Sequence, residues 1–73
     1  MNDRLTDIIE KILLIDRTQI NPQLSRDDVE EWDSMTHLVL VSDIEAEFGK
    51  SFSDDEVSNI QNVDDILKLL SGN

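Results

Sequence analysis

The chain has 73 residues, enough for one domain with one modest core and too few for a separate catalytic lobe. It contains no cysteine, which excludes disulfides, thiolate metal ligands and cysteine nucleophiles. Seventeen acidic and six basic residues give a net charge of −11, and residues 27–65 hold thirteen of the acids but one base, Lys50. Such a surface repels nucleic acid and anionic membrane and favours partners with basic patches.

Hydropathy favours a protein that stays out of the membrane. No apolar run approaches the roughly 20 residues that span a bilayer, and no charged-then-apolar signal segment opens the chain. We therefore expect a cytoplasmic monomer without stable membrane insertion and without nucleic acid as a partner.

The first predicted helix covers about residues 3–14. Its apolar side chains recur at offsets of 0, 3, 4, 7 and 8, which places them on one helical face: Leu5, Ile8, Ile9, Ile12 and Leu13. Either Asn2 or Asp3 can cap its first turn.

Residues 15–33 show no sustained period and read as a long loop. Asn21-Pro22 predicts a turn, because proline disfavours a helical conformation in the residue before it. Three apolar residues are expected to hold the loop against the core: Ile20, Leu24 and Val29. A connection of this length is often functional, and this one leads directly to Ser34.

The second predicted helix covers residues 34–48, with Asp33 as N-cap and Gly49 as the left-handed residue after its end. At 100° per residue, one side carries the residues expected in the core: His37, Leu40, Val41, Ile44 and Phe48, with Leu38 and Glu45 at the edge. The opposite side carries a weaker apolar strip beside Ser34: Met35, Val39, Ser42 and Ala46.

Two further helices are expected near the end of the chain. Ser53 and Glu56 form a capping-box pattern for a short helix over residues 54–59, with Val57 and Ile60 turned inward. Asn62 can cap a fourth helix over residues 63–71, stopped near Gly72. The predicted fold is therefore an all-α four-helix bundle, with a long loop between helices 1 and 2 and a short helix 3.

The run Trp32-Asp33-Ser34-Met35-Thr36-His37-Leu38, followed by Ile44-Glu45-Ala46-Glu47-Phe48-Gly49, resembles the acyl carrier protein family over nearly the whole chain. The resemblance implies that Ser34 carries 4′-phosphopantetheine, installed from coenzyme A by a phosphopantetheinyl transferase, with Asp33 as part of the motif. The terminal thiol of that group would hold acyl intermediates as thioesters. The chain would then be a carrier, not an enzyme, and would serve acyl-loading and acyl-transfer enzymes of fatty-acid, polyketide or specialised lipid synthesis.

Departures from the family pattern bear on the pathway. Met35 stands where leucine is usual, and the outer face of the second helix has Thr36, Val39 and Ala46 where fatty-acid carriers often have acids. The Trp-Asp-Ser-Met-x-His run is similar to that of a subgroup of discrete carriers, which favours a dedicated pathway over primary fatty-acid synthesis. We expect basic docking patches of partner enzymes to contact one surface: Met35, Val39, Ser42, Glu45, Ala46 and Glu47.

Other functions remain open at this point. A peptidyl or aminoacyl carrier would share every feature named above, and an unmodified acidic helical interaction module would differ only at Ser34. A serine hydrolase would need His37 as a base beside Ser34, but a structural role for His37 and an anchoring role for Trp32 are favoured.

A calcium loop is disfavoured. Its ligand pattern is matched only loosely, by Asp16, Thr18, Ile20 and Asp27. Asn21 stands where such a loop requires glycine, Pro22 occupies its seventh position, and the last position has Asp27 where a bidentate glutamate is required.

Overall fold

The computed structural model describes residues 2–71. Four α-helices follow one another: α1 Asp3–Leu13, α2 Ser34–Phe48, α3 Asp54–Ser58 and α4 Val63–Ser71. Two short 3-10 helices, Arg17–Gln19 and Arg26–Asp28, lie in the connection between α1 and α2. Within residues 2–71 the extended pairing is limited to one isolated bridge between Ser25 and Asn62. The predicted all-α fold is confirmed.

Asn2 caps α1. Its side-chain oxygen accepts hydrogen bonds from the backbone N–H groups of Arg4 and Leu5, at 2.8 and 3.3 Å. The helix ends at Leu13, one residue before the predicted bound, because Leu14 adopts the left-handed conformation with φ of 57°. The N–H of Leu14 still donates to the carbonyl of Glu10, so the last turn is closed by a residue that carries the strain of a positive φ.

Helices α1 and α2 pack side by side and antiparallel. Arg4, at the start of α1, contacts Glu47 near the end of α2, while Lys11 lies 3.8 Å from Asp43 one turn nearer the start of α2. These side chains are largely exposed, and exposed ion pairs contribute at most about 1 kcal/mol each. They therefore help to select the antiparallel pairing, whereas burial of apolar side chains stabilises it.

One apolar cluster forms the core. Its buried members come from α1, α2, α4 and the loops, and Val57 of α3 packs against them half-buried. The buried members of the cluster are Leu5, Ile8, Ile9, Leu13, Ile20, Val29, Trp32, Leu40, Val41, Ile44, Ile60, Val63 and Ile66. Truncating a buried aliphatic side chain to alanine costs about 2–5 kcal/mol, a large share of the stability of a small domain. The loop residues Ile20 and Val29 are buried as predicted, and Leu24 is half-buried against the same cluster.

The long loop is also fastened by its backbone to the connection between α3 and α4. The N–H of Arg26 donates to the carbonyl of Gln61 at 2.9 Å, and the N–H of Val63 donates to that of Leu24 at 3.0 Å. The N–H of Asp64 donates to the carbonyl of Pro22 at 2.9 Å. Since these backbone groups satisfy one another, the loop has a defined path and delivers residue 34 to a fixed place.

The two last helices begin as predicted from their caps. Ser53 and Glu56 form a reciprocal capping box at the start of α3, and the Asn62 side chain accepts from the N–H of Asp65 at 2.9 Å in the first turn of α4. Helix α3 ends at Ser58, one residue before the predicted bound, with Asn59 as its C-cap. The stop predicted near Gly72 lies outside the described residues.

Candidate functional site

Ser34 is the first residue of α2, and its side chain is exposed. The carboxylate of Asp33 accepts a hydrogen bond from the backbone N–H of Thr36 at 2.9 Å, the N-cap interaction that the sequence predicts. That bond to Thr36 holds the pKa of Asp33 below its ordinary value. Asp33 is therefore an ionised cap directed at the helix, and the hydroxyl beside it is open to a second protein.

A buried hydrogen-bond chain lies directly behind this serine. Trp32 is 3% exposed and His37 is 4% exposed. The indole N–H of Trp32 donates to Nδ1 of His37 at 2.9 Å, and Nε2 of His37 lies 3.0 Å from the carbonyl oxygen of Val57 in α3. Because a carbonyl only accepts and an indole only donates, His37 must be neutral with its proton on Nε2.

Burial lowers the pKa of His37, with a smaller contribution from the positive charge of Arg26, and both favour that neutral form. Both ring nitrogens are committed, one to Trp32 and one to Val57. A serine nucleophile requires a general base within hydrogen-bond reach, and His37 is not free to act as one for Ser34. His37, the candidate base of the hydrolase pair, therefore has a structural role.

The outer surface of α2 beside Ser34 is apolar and exposed. Met35 is 78% exposed and Val39 is 47% exposed, while Ser42 and Ala46 are also exposed. Leu38 was expected at the edge of the core, but it is 62% exposed and belongs to this outer surface. At 100° per residue Leu38 lies about 60° beyond Val41, the buried residue at that edge of the core face, and therefore points away from the core.

Two acidic residues of the expected partner surface have partners within the chain. An oxygen of Glu45 accepts from the backbone N–H of Phe52 at 2.7 Å, which ties the turn after α2 back to the helix. The carboxylate of Glu47 accepts a hydrogen bond from Nε of Arg4 at 2.7 Å. Its backbone carbonyl accepts a second bond from the guanidinium of Arg4 at 2.8 Å. Their part in binding partner enzymes stays a prediction.

The surroundings of Ser34 suit a phosphodiester. Unpaired amides in the first turn of a helix and the helix dipole favour negative charge, typically by about 0.3–1 kcal/mol. The exposed Glu30 and Glu31, together with Asp33, oppose that effect, so the local electrostatic gain is small. The exposed hydroxyl on a rigid helix end is thus the main feature that fits such a group.

The calcium pattern finds no support in the arrangement of its residues. Asp16 accepts hydrogen bonds from the N–H and the hydroxyl of Thr18, both at 2.9 Å, and this capping holds the pKa of Asp16 below its usual value. Across residues 2–71, no three histidine, cysteine or acidic side chains are grouped so that they could hold a metal ion. No helix in the same part of the chain is both long and apolar enough to cross a membrane.

Comparison with known proteins agrees with this geometry. The family model described as the phosphopantetheine attachment site matches residues 3–70. An acyl carrier protein of Micrococcus luteus is 28% identical over 68 residues, which cover 93% of this chain and 84% of that protein. An acyl carrier protein of Myxococcus xanthus is likewise 28% identical over 68 residues, which cover 93% of this chain and 86% of that protein.

The cofactor of that family is covalent 4′-phosphopantetheine, and its members are carriers that other enzymes modify and load. A small helical bundle with an exposed serine at a capped helix start has the form that such a carrier needs. The chain therefore belongs to the acyl carrier protein family of phosphopantetheine carriers.

Proposed function

We propose that Ser34 is the residue that carries 4′-phosphopantetheine and that the chain transports acyl groups. The observation that carries the proposal is the exposed Ser34 hydroxyl at the first position of α2, inside the segment that the family model matches. When bound, the cofactor supplies a terminal thiol that holds an acyl group as a thioester. Every other requirement falls on the chain, which must present one hydroxyl in a fixed place.

The residues around Ser34 meet that requirement. Asp33 caps α2 and keeps its first turn formed, and the Trp32–His37 bond fixes the incoming loop against the helix. Attachment forms a phosphodiester at the Ser34 oxygen and releases the adenosine bisphosphate half of coenzyme A. We assign the base that takes the hydroxyl proton to the transferase, since both ring nitrogens of His37 are occupied and the Asp33 carboxylate caps α2.

The relatives and the outer face of α2 support the proposed cargo and pathway. Both relatives are called acyl carrier proteins, which supports an acyl cargo over an aminoacyl one. The exposed Met35, Leu38 and Val39 leave little acidic surface on α2 beside Ser34, which supports partner enzymes of a dedicated lipid or polyketide pathway over those of primary fatty-acid synthesis. We place this activity in the cytoplasm, in a monomeric protein.

Intact-protein mass spectrometry tests the attachment site. The purified chain is incubated with coenzyme A and a promiscuous phosphopantetheinyl transferase, alongside the variants Ser34→Ala and Ser58→Ala. Ser58 is an exposed serine at the end of α3, so its variant controls for loss of a surface hydroxyl. We expect wild type and Ser58→Ala to gain one phosphopantetheine unit and Ser34→Ala to gain none. A gain in Ser34→Ala, or no gain in wild type with several transferases, would contradict the proposal.

A loading assay tests the cargo. The phosphopantetheine-bearing protein is offered in parallel to acyl-activating and to amino-acid-activating enzymes, each with its own substrate pool and ATP. Acyl thioester formed at a rate at least about tenfold above aminoacyl thioester is the expected result, a difference of about 1.4 kcal/mol in activation free energy. Preferential aminoacyl loading would assign the chain to peptide-type synthesis.

A further inference from the structure

We propose that the contact of Trp32, His37 and Val57 is a pH-sensitive junction. When the ring of His37 gains a proton, α3 separates locally from α2 while the rest of the bundle stays folded. The junction joins the segment before α2, the first turns of α2 and α3. Ser34 lies in the chain between Trp32 and His37, so opening changes the surroundings of that serine. The device is independent of the group that the serine carries.

The ring of His37 serves the junction with one acceptor and one donor. Its Nδ1 accepts from the indole N–H of Trp32 at 2.9 Å, and its Nε2 donates to the carbonyl of Val57 at 3.0 Å. A protonated imidazole has an N–H on both nitrogens and no acceptor. Protonation therefore sets two N–H groups against each other at Trp32, and it places a charge on a ring that is 4% exposed. The closed junction disfavours the proton, whereas a ring exposed to water accepts it.

The charges around the ring also oppose a proton. The guanidinium of Arg26 donates to the carbonyl of Ile60 at 3.3 Å, and its positive charge acts against a second one on His37. The acids next to the junction residues in the chain are all exposed: Glu31, Asp33 and Glu56. Two of them cap helices, and none of the ion pairs formed among residues 2–71 includes His37. Burial, with a smaller contribution from Arg26, lowers the pKa of His37, so protonation and opening are coupled.

Helix α3 is the element that separates most easily. None of its five residues is fully buried, and Val57 is half-buried against the core. Two side chains from other segments bond carbonyls at its C-terminal end, His37 at Val57 and Arg26 at Ile60. A short segment with little buried apolar surface opens at a lower free energy than the whole fold. The bond from His37 is therefore a large part of what keeps α3 closed.

His37 is the only histidine of the chain, which gives the junction a defined pH range. Ordinary carboxylates titrate near about pH 4, so His37 is the side chain expected to take up protons between pH 7.5 and 5.5. In an open junction its pKa is about 6.5, whereas the closed ring stays neutral. The closed form is fully stabilised above about pH 6.5, and the equilibrium constant for opening rises by up to about tenfold between pH 7.5 and 5.5.

Native-state amide exchange, followed by NMR, measures this opening. The N–H groups of Val57 and Asn59 bond to carbonyls at the start of α3 and report on that helix. The N–H groups of Ile9 and Ile44, which are buried in α1 and α2, report on the core. Each rate is compared with that of an unstructured peptide at the same pH to give a protection factor. Low concentrations of urea separate local opening from global unfolding, because local opening exposes little surface.

In wild type we expect the amides of Val57 and Asn59 to be less protected than the core amides at both pH values and to depend little on urea. Their protection factors should fall by about five- to tenfold from pH 7.5 to 5.5. In His37→Gln the same amides start from a lower protection, because the junction is weaker. They should change by less than about twofold with pH, because that variant has no imidazole to protonate.

Two further variants isolate the cause. Trp32→Phe keeps an aromatic ring but removes the opposing N–H, so the closed junction tolerates a proton better and the fall should shrink to about threefold or less. His37→Gln combined with Gln23→His returns a titrating imidazole to the chain at an exposed position. That double variant should behave like His37→Gln alone. Circular dichroism at both pH values verifies that each variant is folded.

Three outcomes would overturn the junction. Equal protection and equal urea dependence in the amides of α3 and of the core would show that α3 opens only by global unfolding. A fall in wild type no larger than in His37→Gln would show that the ring does not control the opening. A fall in the double variant as large as in wild type would show that the position of the imidazole is irrelevant. Attachment of phosphopantetheine enters none of these measurements, so their failure leaves the carrier function standing.

Discussion

The indole N–H of Trp32 donates to Nδ1 of His37 at 2.9 Å, and the two rings lie stacked with their centroids 6.2 Å apart. The other ring nitrogen of His37 reaches the carbonyl of Val57 at 3.0 Å. A single neutral imidazole thus joins the long loop, α2 and α3 around Ser34. No buried side-chain nitrogen or oxygen in the described part of the chain lacks a hydrogen-bond partner, so this network is complete as it stands.

The network predicts a pH dependence of stability. Burial lowers the pKa of His37 in the folded chain below its unfolded value of about 6.5. Since the unfolded chain then binds the proton more tightly, the contribution of His37 is complete above about pH 6.5 and is lost progressively as the pH falls below that value. At pH 7.5, His37→Gln should lower the free energy of unfolding by about 1–3 kcal/mol, because the buried partners are less well satisfied.

Urea unfolding of wild type and His37→Gln at pH 7.5 and 5.5 measures this effect. The gap between the two proteins should narrow at pH 5.5, because only wild type has an imidazole to protonate. Comparing the two proteins cancels the titration of the carboxylates that they share. A gap that is constant or wider at pH 5.5 would show that His37 does not lose a stabilising role on protonation.

Local chemistry explains which parts of the fold the sequence predicts. The bounds of α2 coincide with residues 34–48 because both ends are encoded by single residues, a capping carboxylate at Asp33 and a left-handed glycine at Gly49. The pairing of Ser25 with Asn62 joins segments far apart in the chain and leaves no periodic signal in either. Contacts between distant segments also limit what the sequence predicts about the site. The exposure of Ser34 could be predicted from its position at the start of a helix, whereas the internal partners of Glu45 and Glu47 depend on the tertiary fold.

Two helix ends predict opposite responses to substitution. Leu14 and Gly49 have φ values of 57° and 64°, a region in which a side chain costs about 1–2 kcal/mol. A Cβ at Gly49 would meet nothing within 4 Å. The Gly49→Ala variant therefore measures the strain of a side chain at positive φ without any steric clash. We expect Leu14→Gly to raise the melting temperature and Gly49→Ala to lower it. The free energy of unfolding should change by about 1 kcal/mol in each case.

Differential scanning calorimetry on both variants measures those shifts. Leu14 is 78% exposed, so its removal leaves no cavity to offset the gain. If Leu14→Gly were destabilising, the side chain of Leu14 would be making apolar contacts worth more than the strain that it carries.

Two substitutions at Asp33 distinguish the contribution of its capping hydrogen bond from that of its negative charge. Asp33→Asn keeps an oxygen that can accept from Thr36, whereas Asp33→Ala does not. The melting temperature should therefore fall clearly in Asp33→Ala and little in Asp33→Asn, as circular dichroism can follow. The pKa of Asp33 lies below its usual value because of the Thr36 bond, so its capping persists above about pH 4 and is lost as the pH falls through the folded pKa. Equal losses in both variants would mean that the charge, not the acceptor, stabilises the helix.

The charge distribution predicts that salt stabilises the fold. Arg4, Lys11, Arg17 and Lys68 form ion pairs, and salt weakens those exposed contacts slightly. The net charge of −11 means that repulsion outweighs them, and screening relieves repulsion over a Debye length of about 10 Å at 0.1 M. The melting temperature should therefore rise between low salt and about 0.5 M sodium chloride.

Substitutions that alter the charge without touching the core provide the check. Asp27→Asn with Glu30→Gln removes two exposed acids and should make the rise smaller, while Arg4→Gln removes a cation and should make it larger. A salt response that is flat in wild type, or that has the same size in all three proteins, would contradict repulsion as the cause. Because Arg4 also lies 5.0 Å over the ring of Phe48, its variant should start from a lower melting temperature at every salt concentration, and the slope with salt is the quantity to compare.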